Sequence, residues 1–233
     1  MMIDAVKTDK NQQESQDVFQ WCDRWCDRCS QTGLCGLYQR SSSATTEEIL
    51  EELPKFFETA MKALKESIER MSLDPETLTE SNFEDEWGWK CHLLRNDERV
   101  ALAKKYRKMT SRWFDSLKDD YSTELRMENP ALTECLDVIL WFKHLLEYII
   151  KRALISKNEE EEENVEPRDS IGNAKLLLVS IDRIINAWGY VYEKFAENED
   201  EILDILICLQ SLGKKIEGAF PDARAFVRPG LDE

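Results

Sequence analysis

Four of the chain's seven cysteines, Cys22, Cys26, Cys29 and Cys35, fall within WCDRWCDRCSQTGLCG at residues 21–36. Their spacing is C-x3-C-x2-C-x5-C. Four converging thiolates complete the shell of a tetrahedral zinc ion or of an iron–sulfur cluster. In a reducing compartment, clustered cysteines serve metal or redox chemistry more often than structural disulfides. If the segment is helical, Cys22 and Cys26 share a face, with Trp21 and Trp25 as a second i,i+4 pair beside them. The indoles then anchor the segment, while Gly33 lets the chain turn back and deliver Cys35.

Span discriminates between the metals. On a continuous helix Cys22 and Cys29 would stand about 10 Å apart, too far to share one zinc through bonds of about 2.3 Å. Either the helix breaks before Cys29 or the bound object is larger than one ion. The expectation is therefore a 4Fe-4S cluster on Cys22, Cys26, Cys29 and Cys35, serving electron transfer, redox sensing or structure. Zinc in a non-enzymatic interaction protein is the alternative, followed by disulfides or free thiols. The first three cysteines match the spacing of radical S-adenosylmethionine enzymes, but those need an α/β barrel that this chain lacks. The last three, CDRCSQTGLC, resemble the C-x2-C-x5-C that staples clusters in certain nucleases and auxiliary-cluster domains; this likeness implies the ligand role alone. Cys91, Cys135 and Cys208 are scattered and read as small buried hydrophobes.

A second set of reactive types follows helical spacing further along: Glu134, Asp137, Trp141, His144, Tyr148 and Lys151. A solvated face rarely needs Trp141, so this face should meet another helix or line a cleft. His144 could act there as a base or ligand near neutral pH, with Asp137 and Lys151 two turns to either side. Lys175 and Asp182, with Asn173 and Arg183 near them, would supply the opposing wall of a polar pocket, which makes an enzyme a further alternative. An ordinary polar seam with a hydrogen-bonded His144 is the simpler reading. A di-iron bundle is excluded: it needs two Glu-x-x-His pairs, and Trp141 and Trp89 stand three residues before His144 and His92. Glu48/Glu51 and Glu134/Asp137 hint at the all-α nucleotide pyrophosphohydrolases, but the two halves lie too far apart in the chain.

These groups must be positioned by helices. The 233 residues include only eight Gly and six Pro among many Glu, Lys, Leu and Ala, which favours an all-α protein. Thr45 and Glu48 form a capping box for a helix through Leu50, Leu53, Phe57, Ala60, Leu64 and Met71, kinked at Pro54. Residues 73–96 lack a sustained period and read as an acidic, aromatic connection, in which Trp87 and Trp89 could bind a protein partner. A helix over about 97–121 follows. The next stripe, Leu132, Cys135, Ile139, Phe142, Leu146, Ile149 and Ala153, begins behind Pro130. KNEEEEENVEPRD at 157–169 reads as a solvated acidic loop. Ile171, Ala174, Leu178, Ile181, Ile185, Trp188, Tyr192 and Phe195 mark another helix, and Ile202, Leu206, Leu209, Leu212 and Ile216 a last one over 199–218.

The predicted architecture is an antiparallel bundle of four to five long helices with a Cys-rich segment attached. A disordered arm covers 1–17, the metal-binding segment 18–40, the bundle 45–219, and a C-terminal tail packed on the bundle 220–233. A net charge of −16 argues against broad nucleic-acid binding or docking on anionic lipid. The basic run Arg99–Arg112 reads as the solvated side of a helix whose apolar side is Val100, Ala103, Tyr106 and Thr110. No apolar run suits a leader or a membrane span, so the expected location is the cytoplasm.

The cysteine cluster, WFKHLLEYIIKRAL (141–154), IGNAKLLLVSIDRIINAW (171–188) and AFPDARAFVRPGLDE (219–233) together resemble a group of uncharacterised bacterial proteins. Those carry an N-terminal cysteine cluster, a Trp-Tyr-His…Lys…Arg-Ala-Leu helix and a Gly-Ser-Ala-Lys…Ile-Asp-Arg helix. Phe142 and Asn173 depart from that pattern, where the group has Tyr and Ser. The resemblance adds weight to Trp141, His144, Lys151, Lys175 and Asp182 and implies no reaction.

Overall fold

The computed structural model describes residues 20–43, 54–55, 57–58, 62, 86–117, 129–195 and 199–232. Among them there are helices and turns and no strand. The helices are α1 (Gly36–Ser43), α2 (Glu86–Leu93), α3 (Glu98–Ser116), α4 (Pro130–Glu163), α5 (Asp169–Lys194) and α6 (Glu199–Ala219). Most of the helix expected after Thr45 lies outside the described residues, as does the 1–17 arm; residues 54–55, 57–58 and 62 are helical, and Phe57 is exposed.

The chain forms two units. One comprises the described residues up to Lys90 together with Pro229–Leu231; the other comprises Cys91–Arg228 and Asp232.

In the second unit α4 packs on α5, α5 on α6, α6 on α3 and α3 on α4, a closed ring of four helices. Short links make α4 and α5, and then α5 and α6, antiparallel. Lys215 near the end of α6 bonds Glu98 at the start of α3 at 2.7 Å, so that pair is antiparallel too. Up-down-up-down order follows for all four.

Apolar periodicity accounts for the packing. Val100, Ala103, Tyr106, Thr110 and Trp113 of α3 are buried, as are Leu132, Ile139, Phe142, Leu146 and Ile149 of α4. From α5 come Ala174, Leu178, Ile181 and Trp188, and from α6 Ile202, Leu209, Leu212 and Ile216. Burying each large side chain stabilises the fold by about 1.5–3 kcal/mol. Trp113 lies at its centre, edge-on to Trp188 at 5.0 Å and to Phe195 at 5.2 Å. Cys208 is buried as expected, but Cys91 and Cys135 are only half-buried; Leu136 takes the inward position beside Cys135.

Three boundaries differ from the sequence reading. The acidic run 157–163 is helical and completes α4, leaving a link at 164–168. Glu160 explains this. Its Oε1 accepts the backbone N–H groups of Arg168, Asp169 and Ser170 at 3.0, 2.7 and 3.1 Å, so a carboxylate of the run caps the next helix. Asn164 ends α4 in the left-handed conformation, φ 53°, which Asn tolerates better than most residues. Second, 86–93 is a helix, two turns being too short to display a period. Third, α3 ends at Ser116, whose hydroxyl donates back to the Trp113 carbonyl at 2.7 Å. At its other end the Asp97 carboxylate accepts from the amides of Arg99 and Val100.

Candidate functional site

The cysteine segment is not the continuous helix that would pair Cys22 with Cys26. Residues 22–25 are irregular, Cys26–Arg28 form one 3-10 turn, and α1 starts directly after Cys35. The break is local in origin. Arg24 has φ 57°, a left-handed conformation unusual outside Gly and Asn, and the Asp23 carboxylate accepts the Trp25 amide at 3.0 Å. Such a break before Cys29 is what a shared ligand requires, given the reach of a straight helix.

Backbone amides approach two of the four sulfurs. The Gln31 N–H donates to Cys29 Sγ at 3.4 Å, and the Arg24 N–H bonds Cys22. Each donor lies two residues after its cysteine. Trp21 is 1% exposed and Cys35 is buried, while Cys22, Cys26 and Cys29 are half-buried. Arg28 lays its guanidinium 4.1 Å from the centre of the Trp25 ring. Gln39 of α1 donates to the Gly33 carbonyl at 2.6 Å and closes the turn that brings Cys35 back.

The sulfurs feel one another. Burial pushes the Cys22 thiol up, opposed by the Arg24 amide and assisted by the charge of Cys35. Burial also raises Cys26, followed by the charges of Cys35 and Cys29. No disulfide links any of the seven cysteines. Among the described residues, no group of three or more His, Cys, Asp or Glu side chains is gathered where it could hold one metal ion.

The polar residues singled out on the bundle fall into two clusters. On α4, the Lys151 ammonium bonds Glu147 at 2.8 Å, and Glu147 also pairs with Arg107 of α3 at 3.0 Å. Burial raises Glu147, but Lys151, Arg107 and Lys104 outweigh it and hold the carboxyl below its usual range. His144 is exposed, and partial desolvation together with Lys143 and Arg107 lowers its imidazole from the ordinary value. Asp137 is half-buried, and Trp141 and Tyr148 are exposed at 39% and 49%.

Lys175 and Asp182 meet the C-terminal tail instead. The Lys175 ammonium donates to the Arg224 carbonyl at 2.7 Å, and the Arg224 guanidinium pairs with Asp182 and with Glu217. Asn173, buried, bonds the Asp169 carbonyl. These contacts place Lys175 and Asp182 at a tail clamp and Lys151 at an α3–α4 seam. Sequence reasoning missed Glu147, the hub of that seam, and Arg224, the hub of the clamp. Glu147 could have been found as the i,i+4 partner of Lys151; Arg224 gives no local signal.

No protein-family model matches the chain, nor does any curated protein or solved structure.

Proposed function

We propose that residues 21–35 form a four-thiolate centre for a 4Fe-4S cluster, with Cys22, Cys26, Cys29 and Cys35 as ligands, and that the protein transfers electrons or senses redox state. The observation that carries this reading is the pair of amide-to-sulfur hydrogen bonds. Cys22 and Cys29 each receive an N–H from the residue two further on, the kind of donor that favours anionic sulfur and sets the potential of an iron–sulfur centre. The sulfurs of Cys22, Cys26 and Cys29 lie within electrostatic reach of one another or of Cys35.

When bound, the cluster supplies one-electron capacity. The chain's own part is to bind and shield it. Cys35 enters from the buried side at the N-terminus of α1, where the helix dipole favours negative charge. Cys26 opens a single 3-10 turn that Cys29 caps.

Anaerobic purification, followed by the visible spectrum and analysis for iron, sulfide and zinc, tests the reading. Brown protein with a broad band near 400 nm and about four irons per chain is expected. Colourless protein with one zinc would replace electron transfer by a structural centre, and metal-free protein would overturn both.

A further inference from the structure

Two charged stripes of opposite sign lie side by side on the outer surface of α3 and α6. These helices are antiparallel neighbours: the Cys208 thiol donates to the Leu102 carbonyl at 3.6 Å, and Lys215 bonds Glu98. On α3, Lys105, Lys108 and Arg112 are exposed at steps of three and four, so they share one face. The charge of Lys105 reaches Cys208, which turns that side of the stripe toward α6. On α6, Asp200, Glu201 and Asp204 are exposed in the first two turns. Counted from the Leu102–Cys208 contact at equal rise per residue, Lys105 stands close to the level of Asp204 and Arg112 close to that of Asp200.

None of these six side chains forms an ion pair with another described residue. Beside the acidic stripe Ile207 is 59% exposed, and near its level α3 presents the exposed Ala101. Cations level with anions, and a large side chain level with a small one, make the surface complementary to itself about a two-fold axis running between the helices. Rotation about that axis lays α3 of one copy over α6 of the other without changing level. Lys105 then meets Asp204, Arg112 meets Asp200, and Ile207 enters the gap beside Ala101. Two helices about 10 Å wide and about 28 Å long offer about 1,100 Å² between two copies, the size of a weak and reversible interface. At about 0.15 M salt the repulsion between two chains of net charge −16 is screened beyond about 8 Å, so the contact pairs decide.

We propose that this surface docks a second copy of the chain, giving a two-fold dimer in which the basic stripe of each α3 lies on the acidic stripe of the other copy's α6. Ile207 is the apolar anchor of the contact, and the charges fix its register and orientation. The surface lies wholly within the helical unit, and its occupation is independent of the cysteine centre.

The test is sedimentation equilibrium of the full chain, purified anaerobically, in about 0.15 M salt over about 1–100 μM protein. A reversible monomer–dimer equilibrium within that range is expected. Ile207→Asp, at an exposed position that leaves the core intact, should weaken it about tenfold or more. Lys105→Glu with Arg112→Glu makes both stripes acidic, and Asp200→Lys with Asp204→Lys makes both basic. Each of these double variants should be monomeric alone, and the two mixed should form a heterodimer. Monomer at every concentration would overturn the assignment and leave the surface to a different protein. A dimer indifferent to Ile207→Asp and to both charge reversals, or reversed variants that fail to pair when mixed, would overturn it equally.

Discussion

Within residues 20–39 the buried apolar side chains are Trp21 and Cys35, whereas α4 alone buries Leu132, Ile139, Phe142, Leu146, Ile149, Ile150 and Leu154. The bundle is held by apolar area, spread over four helices that each contribute a stripe. So small a buried set cannot offset the conformational entropy of ordering some twenty residues at about 1–2 kcal/mol each. On the proposed four-thiolate centre, metal binding would supply the remaining order of that segment. The difference teaches where to look for chemistry: in the helical unit a mutation tests packing, and in the cysteine segment it tests coordination.

Cys22→Ser should have the largest effect. Iron content is expected to fall to background, and hydrogen exchange over 20–39 to approach that of an unfolded chain, while thermal unfolding of the helical unit stays within a few degrees of the parent. Concerted loss of both regions would erase the contrast. Next is Trp188→Ala, which opens a cavity beside Trp113 and should cost about 3–5 kcal/mol in urea unfolding, with iron content retained.

Glu160→Ala removes the acceptor shared by the amides of 168, 169 and 170. A loss of about 1–3 kcal/mol is expected, with exchange raised first at the start of α5.

Asp97→Ala is the smallest of the four, about 0.5–2 kcal/mol for loss of an N-cap. Here pH sharpens the comparison. The hydrogen bond from Arg99, opposed by burial and aided by the Arg99 and Val100 amides, holds the Asp97 carboxyl below its usual range. A folded-state value below the unfolded one means the cap contributes fully above about pH 4 and is lost as pH falls through the lower folded value. Parent and Asp97→Ala should therefore differ in urea midpoint at pH 7 and converge toward pH 2.

Much of the bundle was legible because its stripes are long. Val100 to Thr110, Ile139 to Ala153 and Ile202 to Ile216 follow the helical period, and burial follows them except at Leu206, which is half-buried while Ile205 beside it is buried. The acidic run at 157–163 was misread because its charge suggested a solvated loop; the reward for keeping it helical is the Glu160 cap, a contact between residues eight to ten apart with no periodic signature. The pairing of Asp182 with Arg224 spans 42 positions and is equally silent in sequence. At the cysteine segment, spacing revealed that a straight helix could not serve, but not that Arg24 would supply the break. A left-handed arginine follows from no propensity; it is held by the Asp23–Trp25 bond and the Arg24–Cys22 contact around it.

The Glu160 cap also bears on the order in which the bundle assembles. It closes only 164–168 between two helices, so its entropic cost is far below that of joining Glu98 to Lys215, 117 positions away. The α4–α5 hairpin is thus the cheapest nucleus, and the α3–α6 contact, which closes the ring across the longest stretch of chain, forms after it. φ-values near one at Glu160 and near zero at Lys215 would record that sequence of events.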